Sequence, residues 1–63
     1  MDTYRYGKWT SRKYYNEGFQ FYSVDKKTFW GWKELTWWHI NDEGYKRMME
    51  VVEQLKSAGH LVL

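Results

Sequence analysis

The segment Phe29-Trp30-Gly31-Trp32-Lys33-Glu34-Leu35-Thr36-Trp37-Trp38-His39-Ile40 runs straight into Asn41-Asp42-Glu43-Gly44-Tyr45, and its reading decides the fold. Up to Ile40 the residues are aromatic, branched and β-prone. At Asn41 the chemistry changes. An asparagine side-chain oxygen can accept from the free N–H groups of a first helical turn. Asp42 and Glu43 then place negative charge where a helix dipole favours it. Ile40 and Tyr45 occupy the two positions of a hydrophobic staple. Tyr45, Met48, Met49, Val52 and Leu55 recur at spacings of three and four, which makes one apolar stripe. Glu43, Lys46, Arg47, Glu50, Glu53 and Lys56 fall mostly on the other side, and Gly59 stands where a left-handed C′ residue is wanted. The spacing predicts a helix over 42–58. Leu61-Val62-Leu63 then either folds back onto that helix or adds a short edge strand.

Working back towards the N-terminus, two further β-prone runs precede this segment. Strands are predicted over 4–15, 19–24 and 29–40. Asn16-Glu17-Gly18 forms the first loop and Asp25-Lys26-Lys27-Thr28 the second turn, with Asp at its favoured first position. A twelve-residue third strand is long, so a bend is expected near Lys33-Glu34, with Gly31 as a bulge or close-approach point. The predicted fold is α+β: a three-stranded antiparallel meander with one C-terminal helix packed on one face (βββα), a single domain over 1–63. Pairing across the two turns sorts the side chains. One face carries Trp9, Tyr15, Phe19, Phe21, Trp30 and Trp32. The other carries Tyr4, Tyr6, Lys8, Thr10, Arg12, Tyr14, Gln20, Tyr22 and Lys33. The Trp/Phe face is assigned to the helix and the core, and the Tyr/basic face to solvent. A one-residue slip would invert that assignment. Trp37 and Trp38 point opposite ways, one under the helix and one outside.

Composition narrows the function. The 63 residues contain no Cys and two His, which excludes a disulfide framework and cysteine-ligated metal, and disfavours a histidine cage. No apolar run reaches the roughly 18 residues of a membrane span, and Met1-Asp2-Thr3-Tyr4-Arg5 has no apolar signal region. A cytoplasmic protein without cofactor is expected. For catalysis, His39 with Glu34 as a conceivable partner is the one arrangement that resembles a general base. No nucleophile or oxyanion donor accompanies it, so an enzyme is not expected. His60 reads as a residue at the helix end.

Five Trp, six Tyr and three Phe are too many rings for one sheet and one helix to enclose. A chain this short buries only about 60% of the surface it exposes when unfolded. A large exposed aromatic patch marks an interaction site, and Tyr, Trp and Arg are enriched at interface hot spots. Tyr4, Tyr6, Arg12, Tyr14, Tyr22 and Lys33 are therefore the candidate partner-binding residues, for another protein or for a second copy in a homodimer. The same Tyr/basic face has a second reading as a nucleic-acid platform, with rings stacking on bases and Arg5, Lys8, Arg12, Lys13 and Lys33 meeting phosphates. The net charge of +2 is low for that role.

Phe29-Trp30-Gly31-Trp32-Lys33 after a hairpin, leading into a charged helix, resembles the small stand-alone proteins encoded by phages and prophages. The likeness spans residues 4–58 and rests on pattern. It implies a protein that binds and blocks a host protein, such as a component of antiviral defence, in the host cytoplasm. No residue role follows from it.

Overall fold

In a computed structural model of the protein, which describes residues 1–11 and 18–63, the chain forms β1 (Thr3–Thr10), β2 (Gln20–Thr28), β3 (Gly31–His39), α1 (Asp42–Ser57) and β4 (Leu61–Val62). The sheet order is β3-β2-β1-β4. The three long strands are antiparallel neighbours, as the meander predicts, and β4 adds a parallel strand beside Thr3 and Tyr4. The sheet is therefore mixed and four-stranded. The first predicted loop, with Arg12, Tyr14 and Tyr15, lies outside the described residues except for Gly18. The ladder of β1 and β2 continues one rung beyond Thr10, where the Ser11 N–H donates to the Phe19 carbonyl at 2.7 Å.

The second turn is not at Asp25–Thr28. Those residues continue β2, which pairs through Thr28↔Gly31 and turns at Phe29-Trp30. Two side-chain arrangements account for this. Asp25 is drawn into the ladder by Arg5 on β1, whose Nε donates to Asp25 Oδ2 at 2.8 Å. Thr28 Oγ1 donates to the Gly31 carbonyl at 2.8 Å and accepts from the Trp30 N–H, which closes the tighter turn. Gly31 follows at φ 125°, a backbone state that residues with a Cβ rarely adopt.

The bend expected in the third strand is a bulge. Val24 faces Thr36 while Asp25 faces Glu34, which leaves Leu35 unpaired. Because side chains alternate along a strand, the extra residue switches the sense of everything before it. Trp32 thereby joins Trp37 on one face, and Lys33 moves to the other.

The helix starts as predicted. Asn41 caps it by accepting from the Gly44 N–H at 2.6 Å, with Asp42 and Glu43 in the first turn. It ends in a paired closing motif: Gly59 at φ 88° donates to the Lys56 carbonyl and the His60 N–H to that of Leu55. His60 Nδ1 then accepts from the Asp2 N–H at 3.2 Å, and its ring meets Tyr4 edge-on.

The core inverts the predicted sides. Tyr4 is 7% exposed, and Val24, Met48 and Val52 are enclosed. Tyr6, Tyr22, Trp38, Met49, Val51, Leu55 and Val62 pack around them. The two sets of side chains sort on β1 and β2 as read from the sequence, but the helix lies on the Tyr/Val set. The reason is topological. α1 links β3 to β4, and β4 runs parallel to β1 and hence to β3. Crossovers between parallel strands of one sheet are overwhelmingly right-handed. Once β4 joins the sheet, chain direction decides which face the helix covers, whatever the rings on it.

The result is thin, 36 × 30 × 14 Å. Its accessible surface is 5033 Å², against about 4,400 Å² for a compact monomer of this mass.

Candidate functional site: the uncovered sheet face

The face away from the helix collects Arg5 and Trp9 from β1, Phe21, Ser23 and Asp25 from β2, and Trp32, Glu34, Trp37 and His39 from β3. An antiparallel sheet with one wet face ordinarily dresses it with polar residues. This one is dressed with indoles and phenyls, in two groups.

The first group surrounds Arg5. Its guanidinium carbon lies 4.7 Å from the centre of the Trp9 ring and 4.6 Å from that of Trp32. Trp9 follows Arg5 by four residues on the same face, and Gly7 between them has no side chain, so the indole lies down over the strand. Trp32 comes from β3, two strands across. A span of about 10 Å is one that an arginine can bridge. Beneath the guanidinium, Asp25 is buried, with one oxygen taken by Arg5 and the other by Ser23 Oγ at 3.0 Å. The carboxylate is thus fully engaged, and each cation–π contact adds roughly 0.5–2 kcal/mol. Arg5 itself keeps a third of its side chain exposed, at 34%. A shallow cavity of about 290 Å³ opens here, with Phe21 and Glu34 on its wall. The Trp9 indole N–H is the one buried side-chain polar atom without a hydrogen-bond partner among the described residues.

The second group is a ring cluster at the other end. Phe19 stacks on Phe21 at 6.0 Å, and Trp37 meets both edge-on at 5.8 and 6.4 Å. His39 packs against Trp37 at 5.1 Å. Trp37 remains 45% exposed. Beyond the sheet, Phe29 and Trp30 at the hairpin tip are each 91% exposed, their rings touching.

The predicted partner-binding residues fall elsewhere. Tyr4 is core, and Tyr6 and Tyr22 are half-buried against it, with Tyr22 edge-on to Tyr45 of the helix at 5.8 Å. Lys33 is exposed on that same helix side, opposite Lys26. Arg12 and Tyr14 lie outside the described residues. Trp30, predicted to lie inward, is at the tip. His39 and Glu34 do not meet: they face Phe21 and Asp25, four residues apart along β2. What the sequence reading misses is the Arg5–Asp25 pair and its two indole walls. The available signal is a lone Asp inside an aromatic β run, facing an Arg across the first hairpin.

No known protein family matches the chain, and no curated protein or solved structure is significantly similar to it. No helix among the described residues is long and apolar enough to cross a membrane. Among the described residues no three acidic or histidine side chains gather as metal ligands.

Proposed function

We propose that this protein is a small non-enzymatic binding module that covers a surface of another protein with its uncovered sheet face. In line with its resemblance to small phage and prophage proteins, blocking a host protein is the action we assign to it. The observation that carries the reading is the ring cluster of Phe19, Phe21 and Trp37, left open on a sheet whose other face already holds the core. A sheet face rich in rings is ordinarily covered by another layer, and among the described residues no element packs over this one.

Nucleic acid fits this face less well. Arg5 is already paired with Asp25, and Lys8, Lys26 and Lys33 stand on the helix side. On the open face the described cations are Arg5 and Lys27, set against Asp25 and Glu34, which is little positive charge for the phosphate contacts that dominate such binding.

The test compares immobilised wild-type protein with a Phe21→Ser/Trp37→Ser variant, in nuclease-treated lysate of the source cells. A protein retained by the wild type and lost by a variant that still melts cooperatively supports the reading. Equal capture by both refutes it. Sedimentation of the purified protein reads out the homodimer: a dimer that the same two substitutions dissociate makes a second copy the occupant.

A further inference from the structure

We propose that the uncovered face is a receptor for one acidic residue of its protein partner: the Arg5 guanidinium, held between Trp9 and Trp32, takes an aspartate or glutamate carboxylate. The Phe19–Phe21–Trp37 cluster takes an apolar side chain of the same partner segment. This rests on the reading that the face binds protein.

Arg5 is committed on three sides. Its guanidinium lies over the rings of both Trp9 and Trp32, and Nε is held by Asp25. The remaining edge carries Nη1 and Nη2, and no described residue accepts a hydrogen bond from either. An arginine so clamped has little rotamer freedom left to lose, and its planar fork matches a carboxylate with two parallel bonds. Cation and fork are thus set before the partner arrives.

The surrounding charges select a single carboxylate over a polyanion. Arg5 and Lys27 on this face are balanced by Asp25 and Glu34, and Glu34 lies on the cavity wall. A chain of phosphates would meet those two carboxylates, whereas one carboxylate with apolar neighbours meets the guanidinium edge and the rings. Spacing adds a second criterion. Arg5 sits level with Asp25, and Phe21 lies four residues along β2. That separation is about 13 Å, the length of four residues in an extended segment. The segment recognised therefore carries Asp or Glu about four positions from a large apolar residue.

The experiment selects random linear peptides on the immobilised full chain. Capped synthetic copies of the selected peptides are then titrated by tryptophan fluorescence. Selected peptides are expected to share the acid-and-apolar spacing. Changing the peptide's own Asp to Asn, or Glu to Gln, is expected to weaken binding roughly tenfold or more. Arg5→Lys, which keeps the charge and removes the fork, is expected to do the same. Since Arg5→Lys also disturbs Asp25, the substitution made in the peptide decides, because it leaves the fold untouched. Peptides that lose binding to the Phe21→Ser/Trp37→Ser variant but are indifferent to their own carboxylate overturn the acidic receptor and leave the protein-binding face standing. Peptides indifferent to that variant overturn the face itself. An empty selection overturns the receptor and leaves the face to the lysate capture. An oligothymidylate that displaces the peptides overturns the receptor in favour of nucleic acid.

Discussion

The two faces of this sheet carry comparable sets of rings and meet opposite fates. On one, Tyr4, Tyr6, Tyr22 and Trp38 surround Val24 under Met48 and Val52 of the helix. On the other, Trp9, Phe21 and Trp32 are half-buried and Trp37 is exposed, with no helix over them, around a buried Asp25. Apolarity alone would put the helix on the second set, since Trp and Phe outrank Tyr as core residues. In a chain this small the direction of the last strand therefore outweighs the greasier face. Tyrosine also suits a shallow core, because its ring can be enclosed while its hydroxyl reaches the rim.

Truncating one ring on each face tests these opposite placements most directly. Tyr4→Ala is expected to cost about 3–5 kcal/mol, the range for removing a buried aromatic. A domain of this size without disulfide or metal has a margin of about 3–5 kcal/mol. The variant should therefore show no cooperative thermal melt by circular dichroism. Trp37→Ser removes only half-exposed ring contacts and is expected to cost about 1 kcal/mol. Its melt should stay cooperative, a few degrees lower. The reverse pattern would return the helix to the Trp/Phe side.

Local chemistry made much of this fold legible. Asn41 with Asp42 and Glu43 marks the helix start, Gly59 marks its end, and the stripe of Met48, Val52 and Leu55 marks its inner side. Alternation along the strands sorts Tyr4, Tyr6 and Tyr22 from Trp9 and Phe21 without knowledge of the fold. Two things were not legible, and both are non-local. The turn at Phe29-Trp30 depends on Asp25 finding Arg5 from another strand, so its polar neighbours read as loop. The choice of face depends on two residues, Leu61 and Val62, pairing beside β1. Their pattern allows a short edge strand, which forms, but equally a fold back onto the helix, so it does not decide the face. The second reason also bears on the candidate residues: Tyr4, Tyr6, Tyr22 and Lys33 do share one face, but it is the face that the helix covers.

The junction that lays the helix against its face offers a second, smaller effect. Gly44 sits in the first turn of α1 and is buried. Replacing a helical glycine by alanine ordinarily stabilises by up to about 1 kcal/mol. Here an added Cβ would run into the backbone carbonyl oxygen of His39, with the Asn41 side-chain oxygen at 3.2 Å. Neither can move without breaking the cap or the end of β3. Gly44→Ala is therefore expected to destabilise by about 1–3 kcal/mol, the cost of forcing atoms into a filled site. Denaturant titration would read this as a lower midpoint at unchanged slope. A rise in the midpoint would show that the junction has room for a side chain at this position.

The smallest effect separates two tryptophans two positions apart. Trp30 and Trp32 read alike in the sequence, both as inward rings. Trp32 walls the Arg5 guanidinium, while Trp30 stands at the hairpin tip, touching Phe29 and otherwise open. Its backbone N–H, not its ring, serves the turn, through Thr28 Oγ1 at 3.2 Å. Trp30→Ser keeps that N–H and is expected to shift stability by no more than about 0.5 kcal/mol, as for an ordinary surface change. Trp32→Ala should cost more, because it strips one wall from a guanidinium whose other contacts are fixed. Equal losses for the two variants, seen as matching drops in thermal midpoint, would mean that the tip is folded against the sheet. The ring count on the open face would then need revising.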